Sequence, residues 1–178
     1  MQTPEGETTR PTSERAKEAL FSMIQFEVEG RRVLDLFAGS GQLGIEALSR
    51  GAKSATFTDS SGAAIQCVRA NLQKARLQAN ANVFRGDALS FLRGNPGEKF
   101  DLVFLDPPYA LGLIPQALSL LCKGDMLLPG TLVLCETGNP EDVFAGEKKL
   151  AECFEIRGQK KHGVAFLTLL EYRKEDGE

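Results

Sequence analysis

At 178 residues, 42% hydrophobic and 25% charged, the chain has the size and composition of one globular domain, which excludes a disordered or low-complexity segment. A formal net charge of −3 argues against a general nucleic-acid binder, whose affinity rests on neutralising phosphates, yet leaves room for a local basic face. Cys67, Cys122, Cys135 and Cys153 form no C-x-x-C pair and His162 is the single histidine, so the residues do not suit a four-ligand zinc site or a disulfide framework and the cysteines read as reduced core thiols.

Residues 1–9 are polar and aperiodic and include Pro4 and Gly6, the pattern of a flexible arm with no signal-peptide core. No run approaches the ~18 apolar residues of a membrane span, so a cytoplasmic protein is expected. After Arg10-Pro11-Thr12, the residues Ala16, Ala19, Leu20, Met23 and Ile24 recur at helical spacing, with Thr12 or Ser13 as cap and Arg15 and Lys17 on the opposite face. Residues 32–37 read as the first strand, residues 38–44 as a glycine-rich turn, and residues 45–50 as a helix stopped by Gly51. Strand, turn and helix in this order are the context that gives a G-x-G-x-x-G pattern its meaning: Gly39 and Gly41 can take positive φ and let a ligand reach the backbone, and Gly44 allows close helix–strand packing. A second strand over residues 54–58 ends in Asp59, twenty residues past Gly39, where a carboxylate can accept from both hydroxyls of a ribose or cap the next helix. That helix spans about residues 62–79, with Ala64, Ile65, Val68, Leu72 and Ala75 inward and Arg69, Lys74 and Arg76 outward. A short strand at 82–85 leads to Asp87, a helix cap or a partner for an adenine amine. The remainder reads as a strand at 100–105, a helix around Ala117, Leu118, Leu120 and Leu121, and a strand at 131–136 introduced by Pro129-Gly130. A loop with a short helix follows over 139–150, and an antiparallel hairpin pairs 153–157 with 164–172 across a 158–163 loop.

Five strands alternating with helices predict an α/β fold with a parallel sheet covered on both faces, and in such sheets ligands sit at the carboxyl ends of the strands. Four features fall there: the glycine turn, Asp59, Asp87, and the stretch Asp106-Pro107-Pro108-Tyr109. Two prolines end the apolar run 100–105 and hold a carboxylate, a carbonyl and an aromatic ring in a narrow range of shapes. That set suits a flat, amine-bearing ring, with Tyr109 on its face and Asp106 and the Pro107 carbonyl accepting from NH₂. A nicotinamide cofactor would call for a nearby hydride-transfer acid, and none is evident; a sulfonium methyl donor needs only backbone and carboxylate contacts.

On these residues the chain resembles known families. Val33-Leu34-Asp35-Leu36-Phe37-Ala38-Gly39-Ser40-Gly41 resembles the cofactor motif of class I S-adenosylmethionine-dependent methyltransferases, and Asp106-Pro107-Pro108-Tyr109 resembles the motif of their amino-methylating branch. With Arg10-Pro11-Thr12, Glu18-Ala19-Leu20-Phe21 and the run 43–52, residues 10–172 resemble the bacterial 16S rRNA (guanine-N2)-methyltransferases. Departures are the lack of a β-hairpin ahead of Arg10, Gln42 where a small residue is usual, and His162 in place of a tyrosine.

The resemblance implies a Rossmann-like class I methyltransferase fold, a mostly parallel seven-stranded sheet ending in an antiparallel hairpin, as one domain over residues 10–178. It implies catalysis by Asp106, Pro107, Pro108 and Tyr109, and S-adenosyl-L-methionine held by Asp35, Phe37, Ala38, Gly39, Ser40, Gly41, Gly44, Asp59, Asp87 and Ala88, without a metal. Substrate contacts are expected from Arg10, Thr12, Arg15, Lys160 and Lys161, with 16S rRNA, in small ribosomal subunit particles, as partner and a monomer favoured. Two rivals share these residues: an amino-methyltransferase of another target such as adenine N6 in DNA or RNA, and a non-catalytic cofactor-binding scaffold.

Overall fold

A strand whose successive side chains are almost all apolar must be covered on both faces. The computed structural model describes residues 1–2 and 14–173 and makes such a run its central strand, β4 (Phe100–Leu105). Leu102 and Phe104 enter a core layer with Leu20 and Phe21 of α1 (Glu14–Met23), Leu48 of α2 (Gln42–Ser49), and Val68 and Leu72 of α3 (Gly62–Ala75). Val103 and Leu105 enter a second layer with Leu92 of α4 (Ala88–Gly94), Leu118 and Leu121 of α5 (Leu113–Lys123), and Leu150 of α6 (Lys148–Glu152). Alternation along one strand therefore divides the helices between two layers.

The other strands are β1 (Arg32–Asp35), β2 (Ser54–Asp59), β3 (Ala81–Arg85), β5 (Leu127–Thr137), β6 (Phe154–His162) and β7 (Ala165–Tyr172), and the sheet order is β3-β2-β1-β4-β5-β7-β6. Strands β1 to β5 pair in parallel, whereas β7 lies antiparallel to β5 and β6 antiparallel to β7. The chain builds outward from β1 through β2 to β3, then returns to lay β4 on the other side of β1. The crevice at the carboxyl ends of β1 and β4 is thus the topological switch point where ligands bind in open α/β sheets. At the opposite end Asp101, the one charge in the β4 run, takes Arg32 in a two-point ion pair (2.8 and 3.0 Å) and accepts from its backbone N–H (2.9 Å), which pins β1 to β4. The Arg32 guanidinium holds the Asp101 carboxyl below the usual carboxylate range.

Several boundaries differ from the sequence expectation, each for a local reason. Helix α3 stops at Ala75, not near Ala79, because Arg76 takes the left-handed conformation (φ 58°) and caps it, which leaves Ala75 exposed instead of inward. Strand β5 begins at Leu127, before Pro129-Gly130, which a break in its register with β4 absorbs; Gly130 has φ +87°. Strand β6 runs on to His162, because the expected loop opener Gly158 lies at a bulge, so the connection to β7 is only Gly163 and Val164. Cys135 is a buried core thiol as expected, but Cys67, Cys122 and Cys153 are only half-buried, and all four are free. Thr12 and Ser13, the expected caps of α1, lie outside the described residues. Among the described residues no helix is long and apolar enough to cross a membrane.

Candidate methyl-transfer site

The turn after β1 is built around three glycines with different tasks. Gly39 (φ +55°) opens into free space, so a side chain there would fill room that a ligand can use. Gly41 (φ +81°) packs against Val68, Ile45 and Phe57, and a Cβ on Gly44 would run into the Phe57 ring of β2. Gly44 thus sets how closely α2 lies on the sheet, as the spacing predicts.

Two carboxylates hold the turn from below and from the side. Asp59, at the end of β2, accepts from the Gly39 N–H at Oδ2 and from the Ser61 N–H at Oδ1, both at 2.9 Å. Ser61, not Asp59, caps α3 through the Ala64 N–H (3.2 Å), so the capping alternative for Asp59 falls away. Asp35 ends β1 only 2% exposed and accepts from the Gly44 N–H at 2.9 Å. Burial pushes its carboxyl up to about 7; the Gly44 bond works against the rise, and the charge of Asp59 adds to it. Asp35 therefore lies beneath the turn and fixes the first residues of α2. Phe37 is half-buried, Ala38 is buried with its N–H on the Thr58 carbonyl (2.9 Å), and Asp87 caps α4 through the Ser90 N–H (2.8 Å) next to buried Ala88.

Across the switch point, β4 ends and the chain turns through Asp106, buried Pro107 and exposed Pro108 into a 3₁₀ turn, Tyr109–Leu111. The Tyr109 ring stays 42% exposed, lies against Gly138, and donates its hydroxyl to Glu136 Oε1 at 2.6 Å. Pro107, Pro108, Tyr109, Leu113, Glu136 and Thr137 are among the residues lining a pocket at this strand end. The glycine turn, Asp59 and the Asp106 stretch thus meet at neighbouring strand ends.

The expected substrate contacts are more scattered. Arg15 is exposed on α1, whereas Lys17 forms ion pairs with Glu14 (3.2 Å) and Glu46 (3.7 Å). Lys160 and Lys161 stand on strand β6, not in a loop: Lys160 donates to the Ser22 hydroxyl of α1 (3.2 Å), while Lys161 lies 5.6 Å from the Phe166 ring centre. Arg10 and Thr12 lie outside the described residues.

Asn71 and Glu136 carry no functional signal in the sequence, and Gln42 is marked there only as a departure from a small residue. Asn71, buried in α3, donates to the Ser40 carbonyl (2.9 Å) and the Gln2 carbonyl (3.1 Å) and accepts from the Gln2 N–H (3.0 Å), which ties the glycine turn to α3 and to the start of the chain. Glu136 passed as the last residue of a strand. Gln42, first residue of α2, has a buried Oε1 with no hydrogen-bond partner. A buried carbonyl oxygen lacking a donor calls for one. S-adenosylmethionine brings an ammonium and ribose hydroxyls, so the residues at this turn fit that group.

Residues 1–171 match the family described as conserved hypothetical protein 95. A Haemophilus influenzae protein named ribosomal RNA small subunit methyltransferase D is 39% identical over 143 residues, covering 79% of this chain and 74% of that protein. A Bacillus subtilis protein named putative rRNA methyltransferase YlbH is 42% identical over 133 residues, 74% of this chain and 72% of its own. Among solved structures, the putative methyltransferase yhhF from Escherichia coli aligns with a TM-score of 0.85 at 31% identity, over 98% of this chain and 92% of that one.

Proposed function

The chain belongs to the family described as conserved hypothetical protein 95, and from that membership and the site we propose that it is an S-adenosylmethionine-dependent methyltransferase acting on the exocyclic N2 amine of a guanine in 16S rRNA, within small ribosomal subunit particles. The observation that carries this reading is the placement of Asp106-Pro107-Pro108-Tyr109 at the end of β4, the strand paired directly with β1 and its glycine turn. The names of the relatives support ribosomal RNA as the substrate. The protein acts as a cytoplasmic monomer.

When bound, S-adenosylmethionine supplies a methyl group made electrophilic by its sulfonium. Gly39 leaves room for it, Ser40 and Gly41 shape the turn around that room, Asp59 accepts from the ribose, and Asp87 with the Ala88 N–H meets the adenine. An amine on a purine is a poor nucleophile because its lone pair is delocalised into the ring. The Asp106 carboxylate and the Pro107 carbonyl accept its two N–H groups and hold the lone pair toward the methyl, each charge-assisted bond contributing ~1.5–3 kcal/mol. Orientation of the two reacting atoms supplies more, on the order of 7–11 kcal/mol. The Asp106 carboxylate would then take the proton that the amine sheds on methylation. The Tyr109 ring replaces the stacking that the flipped base gives up, worth ~1–3 kcal/mol. Pro108 fixes the turn, and Arg15, Lys160 and Lys161 meet phosphates.

Labelled cofactor offered with undermethylated small subunits, naked rRNA and DNA, followed by identification of the modified nucleoside, tests the proposal. N2-methylguanosine from the small subunit is expected, and Asp106→Ala should lower the rate at least roughly 100-fold with cofactor affinity nearly unchanged. Methylation of adenine, transfer to none of the three, or near-normal turnover in Asp106→Ala would overturn it.

A further inference from the structure

We propose that Glu136 is the residue through which this site selects guanine over other amine-bearing bases. The inference rests on the reading that Asp106 and Pro107 hold the amine of a base. Leu105 of β4 pairs with Cys135 of β5, so Asp106 and Glu136 are the next residues at two adjacent strand ends. Glu136 is half-buried in the wall of the pocket that Pro107 and Tyr109 also line, and its Oε1 accepts the Tyr109 hydroxyl at 2.6 Å. The ring assigned to stack on the base therefore also orients the Glu136 carboxylate. Beside it, the Thr137 hydroxyl oxygen is buried without a hydrogen-bond partner and lines the same pocket, a second sign that the ligand here is polar.

The chemistry of the bases makes this arrangement selective. In guanine the N2 amine stands next to N1–H, so the edge that enters the site carries donors side by side. In adenine and cytosine the amine stands next to a ring nitrogen that can only accept. A carboxylate is acceptor-only and keeps capacity beyond its bond to Tyr109, so it satisfies guanine N1–H and faces the lone pair of the other bases with its own. A site built to take an N–H in this way rejects an analogue that lacks it, because a buried polar group is left unpaired.

The test uses small subunits reconstituted with rRNA whose methylated position carries either guanine or 2-aminopurine, which keeps the 2-amine but has an unprotonated N1. The intact enzyme should prefer guanine by roughly 100-fold or more in kcat/KM. In Glu136→Gln the carboxamide can turn its NH₂ toward N1, so the preference should shrink to within about tenfold or invert. Tyr109→Phe, which keeps the ring and removes the bond to Glu136, should narrow the preference without abolishing transfer. If Glu136→Gln and Tyr109→Phe lose rate equally on both bases, so that the preference is unchanged, Glu136 only supports the turn and the inference is wrong. An intact enzyme that methylates neither base instead overturns the proposed function on which it rests.

Discussion

Asp35 shows at the scale of one residue how burial ties stability to pH. Its carboxyl is buried beneath the glycine turn and titrates near 7, because burial disfavours the charged form more than the Gly44 N–H favours it. In the unfolded chain an aspartate titrates near ~3.9. Between those values the folded protein binds more protons than the unfolded one, so the Asp35 contribution is fully present below pH ~4 and is lost as pH rises through about 7. Asp35→Asn keeps an acceptor for Gly44 and cannot ionise. Urea unfolding at pH 5 and pH 8 should show the variant gaining on the parent by on the order of a few kcal/mol at the higher pH, because each pH step between the two titration points is worth ~1.4 kcal/mol. Parallel losses in both proteins would show that Asp35 does not titrate in this range. The sequence singles out Asp35 only through a motif; the glycine spacing foretells the close approach of α2, but that Phe57 of β2 is what it closes on is a tertiary fact that no local pattern encodes.

At the scale of elements, structure follows the sequence pattern where side-chain period and backbone chemistry act locally, and departs from it where a neighbour decides. The α3 stripe of Ala64, Ile65, Val68 and Leu72 is buried as its spacing predicts, but Asn71 within the same helix is buried too, and an amide has no place in an apolar period. Its three hydrogen bonds join α3, the Ser40 carbonyl and Gln2, so the helix anchors the turn through this one side chain. Asn71→Ala should destabilise the fold by ~1–3 kcal/mol, since the Ser40 carbonyl loses its donor. Thermal melting and calorimetric titration with S-adenosylmethionine check this: weaker cofactor binding at a temperature where the variant remains folded is expected, and parental affinity would show that the turn holds its shape without the anchor. Gly158 failed in the opposite sense, since a glycine that suggests a loop is taken up as a bulge once β7 lies alongside.

Over the whole molecule, the strand–helix alternation made the parallel sheet and the direction of its strands legible, because right-handed crossovers leave few topologies for five βα units. The insertion of β7 between β5 and β6 was not legible, as a hairpin pattern does not say which of its strands meets the sheet. That order puts β6 at the sheet edge with its Lys160 reaching Ser22 of α1, so cations distant in sequence flank the helix that carries Arg15. On a protein of net charge −3, RNA affinity must come from such a local face rather than from the overall field. Each phosphate neutralised contributes about 0.7 to the slope of log affinity against log salt for single-stranded RNA. The triple variant Arg15→Ala, Lys160→Ala, Lys161→Ala should weaken rRNA binding and lower that slope by about two, while leaving cofactor binding unchanged. Lys17→Ala should leave the slope where it is, because Glu14 and Glu46 already neutralise that ammonium. A slope unaltered in the triple variant would move the RNA contact away from α1 and β6, toward surfaces nearer the Tyr109 pocket.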